Sequence, residues 1–361
     1  MISVRILVDS LADRGLPNAQ MSNAREIIRR LDPDRFHVSV FHSAEPDELI
    51  AKRPNTQLIK LPRRRRTARI LPQFLMGQHE ILFYLKSSPA SKWYMRWRRK
   101  WKDSRLTIGT IESQSNVRGE PTIAPEAVRL WEETVLRCDH LFSNSRAVRR
   151  SLNLEYGLKS EIVPTGVDTR FFTPARERAP HTRPRVLFVG ALRPFKQPEM
   201  VVEAAIRFPD SDFVLVGEGP MAKVLNERVR RDHLANVRLA GLLNAEELRS
   251  EYQQADIFLF PSVWEGSPKV ILEAAACALP VIARKNYEPE TVLDGETGCL
   301  VGSDEELFAR LSELLRNPGL RRKLGEAGRR HVKQFDWDPI TRRWEEIFLS
   351  LLAQGRGANA A

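Results

Sequence analysis

Two glutamates lie eight positions apart in the stretch PSVWEGSPKVILEAAACALPVIA, residues 261–283. Glu265 lies in a polar turn, whereas Glu273 falls inside an apolar run, where a carboxylate without a bonding partner is costly. Ser267 followed by Pro268 predicts the N-cap and first position of a helix, which would carry Glu273 on its second turn. Two vicinal hydroxyls, such as a ribose edge, would satisfy both oxygens of Glu273. The alternative partner is an arginine or a backbone amide.

The predicted helix start also suits a bound anion. Its unpaired N–H groups and the positive end of the helix dipole favour negative charge, and Lys269 adds a cation in the first turn. Gly266 lets a ligand approach the backbone closely. The preceding IFLFPS is typical of a buried strand, so this site is expected at the carboxyl edge of a parallel sheet, where ligands bind in open α/β folds.

Strands and helices alternate in both halves of the chain. SVRILVDS, SNAREIIRRL and FHVSVF predict strand, helix and strand, and the pattern restarts at RVLFVGAL after an irregular segment between Thr165 and Pro184. This alternation predicts an α/β protein with two doubly wound, Rossmann-like domains.

The stretch around Glu265 and Glu273 resembles the donor-site signature of the retaining glycosyltransferases of the GT4 type (glycosyltransferase group 1), which have the GT-B fold. VPTGVDTRFFTP, VLFVGALRPFKQPEMVVEAA, FVLVGEGP and DGETGCLV extend the resemblance from Ile162 to about Val301, while the first half matches only in outline. The resemblance implies two domains facing a central cleft. Residues 1–165 would bind the acceptor and residues 166–335 the nucleotide sugar. Residues 336–361 would form a helix crossing back to the first domain, with a polar tail after Gln354.

Site residues follow from the same resemblance. Glu273 would bind the ribose hydroxyls, Glu265 would face the donor sugar at the reaction centre, and Lys196 in GALRPFK would hold the diphosphate. Further donor contacts are implied at Gly15, Leu243, Gly266, Ser267, Lys269 and Val270. For Gly15, an ordinary turn glycine is the alternative.

The chain departs from the family pattern at two places. Ala191 stands where the family often has an arginine; Arg193 is the candidate replacement, and a solvated surface arginine is the alternative. A histidine common near the donor sugar is absent from LTIGTIESQSN, where Glu112, Ser113 or Asn116 would line the pocket.

The implied reaction moves a sugar from a nucleotide donor to an acceptor hydroxyl with retention at the anomeric carbon. The leaving phosphate would accept the acceptor's proton, while Lys196 and Arg193 stabilise the departing diphosphate as fixed cations. No metal-ligand spacing links the histidines or cysteines, so neither a metal nor a cofactor beyond the nucleotide sugar is expected. Whether the donor carries UDP or GDP stays open.

Positive charge is concentrated in one segment. Residues 60–105 carry 14 Lys and Arg against two acids, or +12, and the rest of the chain sums to −1. Within it, Trp93, Trp97 and Trp101 recur every fourth residue around Arg96, which on a helix gives one face suited to an anionic membrane. The acceptor would then be a lipid-linked or cell-envelope glycan. In the alternative, the tryptophans pack inward.

Three rival functions remain. Confinement of the charge to one segment counts against a basic nucleic-acid binder, so no nucleic-acid partner is expected. A GT-B epimerase of nucleotide sugars and a transferase-like subunit without activity are the others. The opening MISVRILVDS lacks the apolar region of a secretory leader, and Cys138, Cys277 and Cys299 suggest no disulfide framework. We therefore expect a cytoplasmic protein, peripheral on the inner face of the membrane.

Overall fold

The computed structural model describes residues 3–13, 19–113, 124–176 and 182–358, and the chain divides into two compact units. The first unit joins Met1–Pro164 to Trp337–Ala361, and the second is Thr165–Asp336. The sequence placed its boundaries after residues 165 and 335. Both units alternate strands and helices around a parallel sheet, which confirms the predicted α/β class.

The first unit contains a seven-stranded sheet in the order β3-β2-β1-β4-β5-β6-β7. Its strands are β1 (Val4–Leu11), β2 (Phe36–His42), β3 (Thr56–Lys60), β4 (Ile81–Phe83), β5 (Leu106–Ile111), β6 (His140–Ser143) and β7 (Glu161–Ile162). Its helices are α1 (Ala19–Arg30), α2 (Glu48–Lys52), α3 (Arg66–Met76), α4 (Pro89–Trp101), α5 (Pro125–Glu133), α6 (Arg146–Tyr156) and, from the end of the chain, α13 (Trp337–Ala358). Short apolar strands such as β4 are buried throughout, as expected of a parallel sheet covered on both faces.

The second unit contains a six-stranded sheet in the order β10-β9-β8-β11-β12-β13. Its strands are β8 (Arg185–Val189), β9 (Asp212–Val216), β10 (Val237–Gly241), β11 (Ile257–Phe260), β12 (Val281–Arg284) and β13 (Gly298–Val301). Its helices are α7 (Pro198–Arg207), α8 (Ala222–Arg231), α9 (Ala245–Gln254), α10 (Lys269–Ala276), α11 (Asp304–Arg316) and α12 (Pro318–Val332). A short 3₁₀ turn, Pro194–Lys196, follows β8.

Helix α13 belongs to the core of the first unit. Trp344 and Phe348 are buried there, and both rings contact Phe83 of β4 with centroids 4.8 and 5.0 Å apart. The helix continues to Ala358, into the polar tail that the sequence placed after Gln354. In the described ranges, no helix combines the length and apolar character needed to cross a membrane.

Candidate functional site

The strand order of the second sheet reverses between β8 and β11, which pair directly through Val186 and Ile257. At such a reversal the loops leave neighbouring strands in opposite directions and open a crevice at the carboxyl edge, where ligands bind. The loop after β8 carries Arg193 and Lys196, and the loop after β11 carries Glu265. The fold therefore brings together residues that the sequence places in two separate motifs.

Lys196 and Glu265 form an ion pair across this reversal. The Lys196 ammonium bonds Glu265 Oε1, which also accepts a hydrogen bond of 2.6 Å from Ser262 Oγ. Both charged side chains are largely buried, at 17% and 11% exposure. The ammonium also lies over the rings of Phe195 and Phe260, 5.4 and 5.2 Å from their centroids, so it makes cation–π contacts as well. The cation and the acid are thus held in place by each other.

Close backbone packing fixes the loop that carries these cations. Gly217 and Gly219, in the turn after β9, have φ of +137° and +159°. A Cβ atom at Gly217 would lie 2.0 Å from the carbonyl oxygen of Gly190, and one at Gly219 would lie 2.5 Å from that of Leu192. Only glycine allows this approach, so the glycines of the FVLVGEGP motif position the loop after β8.

Arg193 and Ala191 are both exposed in that loop. The Arg193 guanidinium makes no hydrogen bond or ion pair with any residue that the structure describes, unlike Lys196. Arg193 is therefore a free cation near the reversal, and its role in replacing the arginine absent at Ala191 stays a prediction.

Helix α10 begins one residue later than predicted. Pro268 occupies the N-cap with an extended ψ of 113°, and no side chain caps the helix, so the assignment of Ser267 as N-cap is wrong. The Ile271 N–H instead bonds the Pro268 carbonyl at 3.2 Å. Gly266 and Ser267 lie in the loop before the helix, and Lys269 and Val270 form its first turn. All four are close to the helix N-terminus as expected, although their contact with a diphosphate stays a prediction.

Glu273 bonds a tyrosine and not an arginine. Its Oε2 accepts a hydrogen bond of 2.9 Å from Tyr252 Oη, which also lies 3.3 Å from the Val270 carbonyl oxygen. Burial raises the pKa of Glu273, and the bond from Tyr252 and the charge of Lys269 offset part of that rise. Its Oε1 makes no hydrogen bond with a described residue, so this oxygen remains available to a hydroxyl.

Two buried residues behind the pair had no signal in the sequence. Arg284, at the end of β12, donates to Gln197 Oε1 at 3.1 Å and to the Pro261 carbonyl at 3.4 Å, and it pairs with Asp304. It thereby ties the loop after β8 to the loop after β11. Tyr287 is 1% exposed, and its hydroxyl has no hydrogen-bond partner within the described ranges. Burial and the nearby charge of Glu265 raise its pKa well above the usual value.

The remaining donor-site assignments stay predictions. Leu243 lies half-buried between β10 and α9, at the same edge of the sheet as Glu265. Gly15 and Asn116 lie outside the described residues.

The first sheet reverses its strand order between β1 and β4, and polar side chains gather there too. Glu112, after β5, accepts hydrogen bonds from Tyr84 Oη and, at 2.8 Å, from Asn23 Nδ2. Tyr84 adopts φ of +60°, an uncommon conformation for a bulky residue that marks local strain. Asp9 is buried at the end of β1 and accepts a bond of 2.9 Å from the Lys86 N–H; burial raises its pKa to about 6. Glu112 was predicted to line this pocket, but Asp9 and Lys86 were missed because no motif contains them.

The three spaced tryptophans form a row of adjacent, tilted rings on α4, and two of them are exposed. Neighbouring rings lie 5.5 and 5.4 Å apart, and Trp93 and Trp101 are 45% and 60% exposed. Tyr94 and Met95 make up the buried side of the helix, and Arg96 is exposed. The alternative in which the tryptophans pack inward is therefore wrong for Trp93 and Trp101.

Sequence comparisons give the chain a set of named relatives. The family model "Glycosyl transferases group 1" matches residues 169–331, all in the second unit. The chain is 30% identical over 292 residues to the D-inositol 3-phosphate glycosyltransferase of Corynebacterium urealyticum, covering 72% of this chain and 68% of that one. It is 35% identical over 205 residues to the GDP-mannose-dependent alpha-(1-6)-phosphatidylinositol monomannoside mannosyltransferase of Mycolicibacterium smegmatis, covering 50% and 53%. The chain spans between 48% and 68% of the length of the curated relatives that it matches, the two named ones included.

Solved structures show the fold. The sucrose-phosphate synthase of Thermosynechococcus elongatus superposes with a TM-score of 0.79 at 20% identity, covering 98% of this chain and 100% of that one. Anabaena Alr3699/HepE in complex with UDP and glucose gives a TM-score of 0.74 at 16% identity, covering 96% and 100%. These likenesses confirm the predicted GT-B architecture of two Rossmann-like domains, and at such identities they show the fold alone.

Proposed function

Because the chain belongs to the group 1 glycosyl transferases, we propose that it transfers a sugar from a nucleotide-sugar donor to an acceptor hydroxyl with retention at the anomeric carbon. One observation carries the proposal: Lys196 and Glu265 meet at the strand reversal of the second sheet, and Glu273 follows on the next helix. This arrangement supplies a cation for a diphosphate and two acids for hydroxyl groups.

Donor binding would separate the Lys196–Glu265 pair. A diphosphate carries more negative charge than one carboxylate, so it competes for the Lys196 ammonium, and Arg193 is already unpaired. Glu265 would then turn its oxygens to donor-sugar hydroxyls. The fixed cations stabilise the charge that develops on the leaving diphosphate, which accepts the acceptor's proton, and the proposal requires no metal.

Glu273 would bind the ribose hydroxyls. Its Oε2 is held by Tyr252, which fixes the carboxylate's orientation, and its free Oε1 can accept a ribose hydroxyl. The base remains open between UDP and GDP, because Alr3699/HepE was solved with UDP and the mycobacterial relative is named for GDP-mannose.

The acceptor is proposed to be a glycan or polyol linked to a membrane lipid. Support comes from the adjacent rings of Trp93, Trp97 and Trp101 beside Arg96, and from a relative named for phosphatidylinositol monomannoside. Aromatic rings with neighbouring cations suit the interface of an anionic bilayer, so we propose peripheral attachment through this face of α4.

Donor recognition is tested by a thermal-shift screen of UDP, GDP, ADP and their sugars. The bound donor stabilises the folded state, so one of these compounds should raise the melting temperature. Glu273→Ala should abolish that rise, while Glu227→Ala, at an exposed glutamate of the same unit, should leave it intact. An unchanged rise in Glu273→Ala would refute the ribose role. Incubating the identified donor without acceptor then tests the epimerase alternative, which needs none.

Membrane attachment is tested by sedimentation with vesicles rich in phosphatidylglycerol. Replacing Trp97 and Trp101 by Ala, or Arg96 by Ala, should reduce the bound fraction, with Arg149→Ala as the exposed control in the same unit. Equal sedimentation of all these variants would remove α4 as the attachment face.

A further inference from the structure

One face of the first unit's sheet changes from apolar to polar along its strands. Towards the carboxyl ends this face carries Phe41 and Ile59, which are buried in one core cluster with Leu7, the β1 residue level with Ser39. Towards the amino ends the same face carries Ser39 paired with Gln57, joined by a hydrogen bond of 3.0 Å. Parallel sheets are normally covered and apolar on both faces, so this polar end is a departure that needs a reason.

A groove of about 630 Å³ lies over this polar end. Its lining is dominated by polar hydrogen-bonding side chains: His37, Ser39, Gln57, Gln73, Gln78 and His79. The cation in the lining, Arg5, already donates to Gln78 Oε1 at 2.7 Å. The volume falls within the range of small-molecule sites, and the chemistry matches a ligand that offers both donors and acceptors without charge.

His79 lines this groove and has a buried ring nitrogen without a hydrogen-bond partner among the described residues. The residue is 7% exposed, and the nitrogen concerned is Nε2. Burial and the charge of Arg105 lower its pKa to about 4, so the ring is neutral at physiological pH. A buried neutral imidazole with an unsatisfied nitrogen is a costly feature unless a ligand completes it.

A second groove of about 520 Å³ adjoins the first on the outer side of α3. Its lining is mainly apolar and includes Ala68, Leu71, Pro72, Leu75 and Met76. Met76 lines both grooves and is 77% exposed. A polar and an apolar groove therefore share one wall on the surface of the first unit.

We propose that the two grooves together bind one amphiphile, a sugar-bearing lipid, with its sugar in the polar groove and its hydrocarbon chain in the apolar groove. Sugar hydroxyls match the amide and imidazole groups, while the chain covers Leu71, Leu75 and Met76. A free sugar would leave the apolar groove empty, and a bare hydrocarbon chain would leave the polar groups unpaired. Only an amphiphile fills both grooves.

This site is separate from the proposed reaction. Arg5 and its neighbours lie at the amino ends of the strands, roughly 13 Å along β1 from Asp9 at the carboxyl edge. The site would retain a lipid-linked sugar on the protein and not present its reacting hydroxyl. Its existence does not depend on the donor site of the second unit.

The probe is dodecyl maltoside below its micelle concentration, titrated into the full chain by calorimetry beside maltose and dodecyl phosphocholine. We expect dodecyl maltoside to bind about tenfold more tightly than either, because only it fills both grooves. Met76→Glu should weaken its binding about tenfold by placing a charge in the shared wall. The double variant Gln57→Ala/Gln73→Ala should remove its advantage over dodecyl phosphocholine.

Leu154→Glu and Gln354→Ala are the matched controls, at exposed positions of the same unit, and should bind like the wild type. The donor-induced rise in melting temperature should persist in every variant, which separates this test from that of the proposed function. Equal binding of dodecyl phosphocholine and dodecyl maltoside would overturn the proposal in favour of a general lipid-contact face. Wild-type binding by Met76→Glu would overturn it as well.

Discussion

The two sheets of this protein each reverse their strand order once, but the charges at the two reversals are arranged differently. Between β8 and β11, Lys196 and Glu265 neutralise each other in a largely buried ion pair. Between β1 and β4, the buried Asp9 accepts a hydrogen bond from the Lys86 backbone N–H, and the Lys86 ammonium forms no ion pair with a carboxylate in the described ranges. Burial lowers the pKa of Lys86 and raises that of Asp9.

In the ligand-free protein, the charges at the second-unit reversal therefore compensate each other in an ion pair, whereas those at the first-unit reversal do not. A paired cation and acid lose little in the free protein and can be exchanged for ligand contacts when a donor arrives. Buried charges that are not joined in an ion pair destabilise the free protein until a ligand or a proton satisfies them, although the attraction between Asp9 and Lys86 offsets part of this cost. We therefore expect substitutions at the second-unit reversal to impair chemistry, and substitutions at the first-unit reversal to change stability with pH.

The largest effect is expected from Lys196→Met. It removes a fixed cation from the proposed leaving group, so kcat/KM for sugar transfer should fall about 100- to 1000-fold. It also leaves Glu265 as a mostly buried acid without its cation, which should lower the free energy of unfolding by about 3 kcal/mol. Steady-state kinetics and urea unfolding measure the two effects separately.

The double variant Lys196→Met/Glu265→Gln sharpens this test. It removes both charges, so stability should return towards the wild type while activity stays low. Lys223→Met, at an exposed lysine of the same unit, should change neither quantity. Full activity in Lys196→Met alone would contradict the comparison, since the ion pair of Lys196 and Glu265 would then have no part in sugar transfer.

The next largest effect is expected from Asp9→Asn. Burial raises the pKa of Asp9 from 3.8 to about 6, so the folded protein holds the proton more tightly than the unfolded chain. Wild-type stability therefore falls as pH rises through this window, by an amount on the order of 3 kcal/mol. Asn carries no charge to desolvate, so the variant should become the more stable protein by that amount between pH 4 and 7.

Tryptophan fluorescence during urea unfolding is the suitable readout, because all tryptophans except Trp264 belong to the first unit. Asp34→Asn serves as the control at an exposed aspartate of that unit. A stability gap between Asp9→Asn and the wild type that stays constant from pH 4 to pH 7 would contradict the argument.

The sequence predicted the parts of the site that lie within one continuous stretch or at strand ends. Glu265 and Glu273 share a stretch, and Lys196 follows a strand whose neighbour could be inferred from the alternation of strands and helices. The ion pair between Lys196 and Glu265 was not predicted, since it depends on β8 and β11 being adjacent in space. The fold class was predictable because the periodicities of strands and helices are local features of the sequence.

Features that depend on distant contacts or on backbone geometry were not predictable. Tyr252 lies on α9, and nothing local in the sequence shows that its hydroxyl reaches Glu273 on α10. Ser267 has the right type for an N-cap, but the extended backbone at Pro268 delays the helix. The left-handed conformation of Tyr84 has no signature in the sequence, because a bulky residue rarely adopts a positive φ.

A smaller effect is expected from Tyr252→Phe. The lost hydrogen bond normally lowers the pKa of Glu273, so in the variant this acid should take up a proton at higher pH than in the wild type. A protonated Glu273 accepts hydroxyls less well, so the affinity for the nucleotide should fall by about 1 kcal/mol, and its loss on acidification should begin at higher pH. Calorimetric Kd values across pH measure this, with Tyr156→Phe in the first unit as control. Superimposable pH profiles for variant and wild type would exclude the coupling.

The smallest effect is expected from Tyr287→Phe, and it best separates the ligand-free state from the donor-bound state. Its buried hydroxyl has no hydrogen-bond partner among the described residues, so its removal should leave the ligand-free protein equally stable or up to about 1 kcal/mol more stable. Tyr94→Phe is the matched control, because the buried Tyr94 hydroxyl bonds Asp103 at 3.0 Å and its loss should cost about 1 kcal/mol. If donor binding draws Lys196 away from Glu265, the nearby Tyr287 hydroxyl can donate to that acid, and kcat/KM in Tyr287→Phe should then fall a few-fold. A loss of ligand-free stability as large as that of Tyr94→Phe would mean that the hydroxyl is already bonded before any donor arrives, and Tyr287 could not then serve as a donor-dependent partner of Glu265.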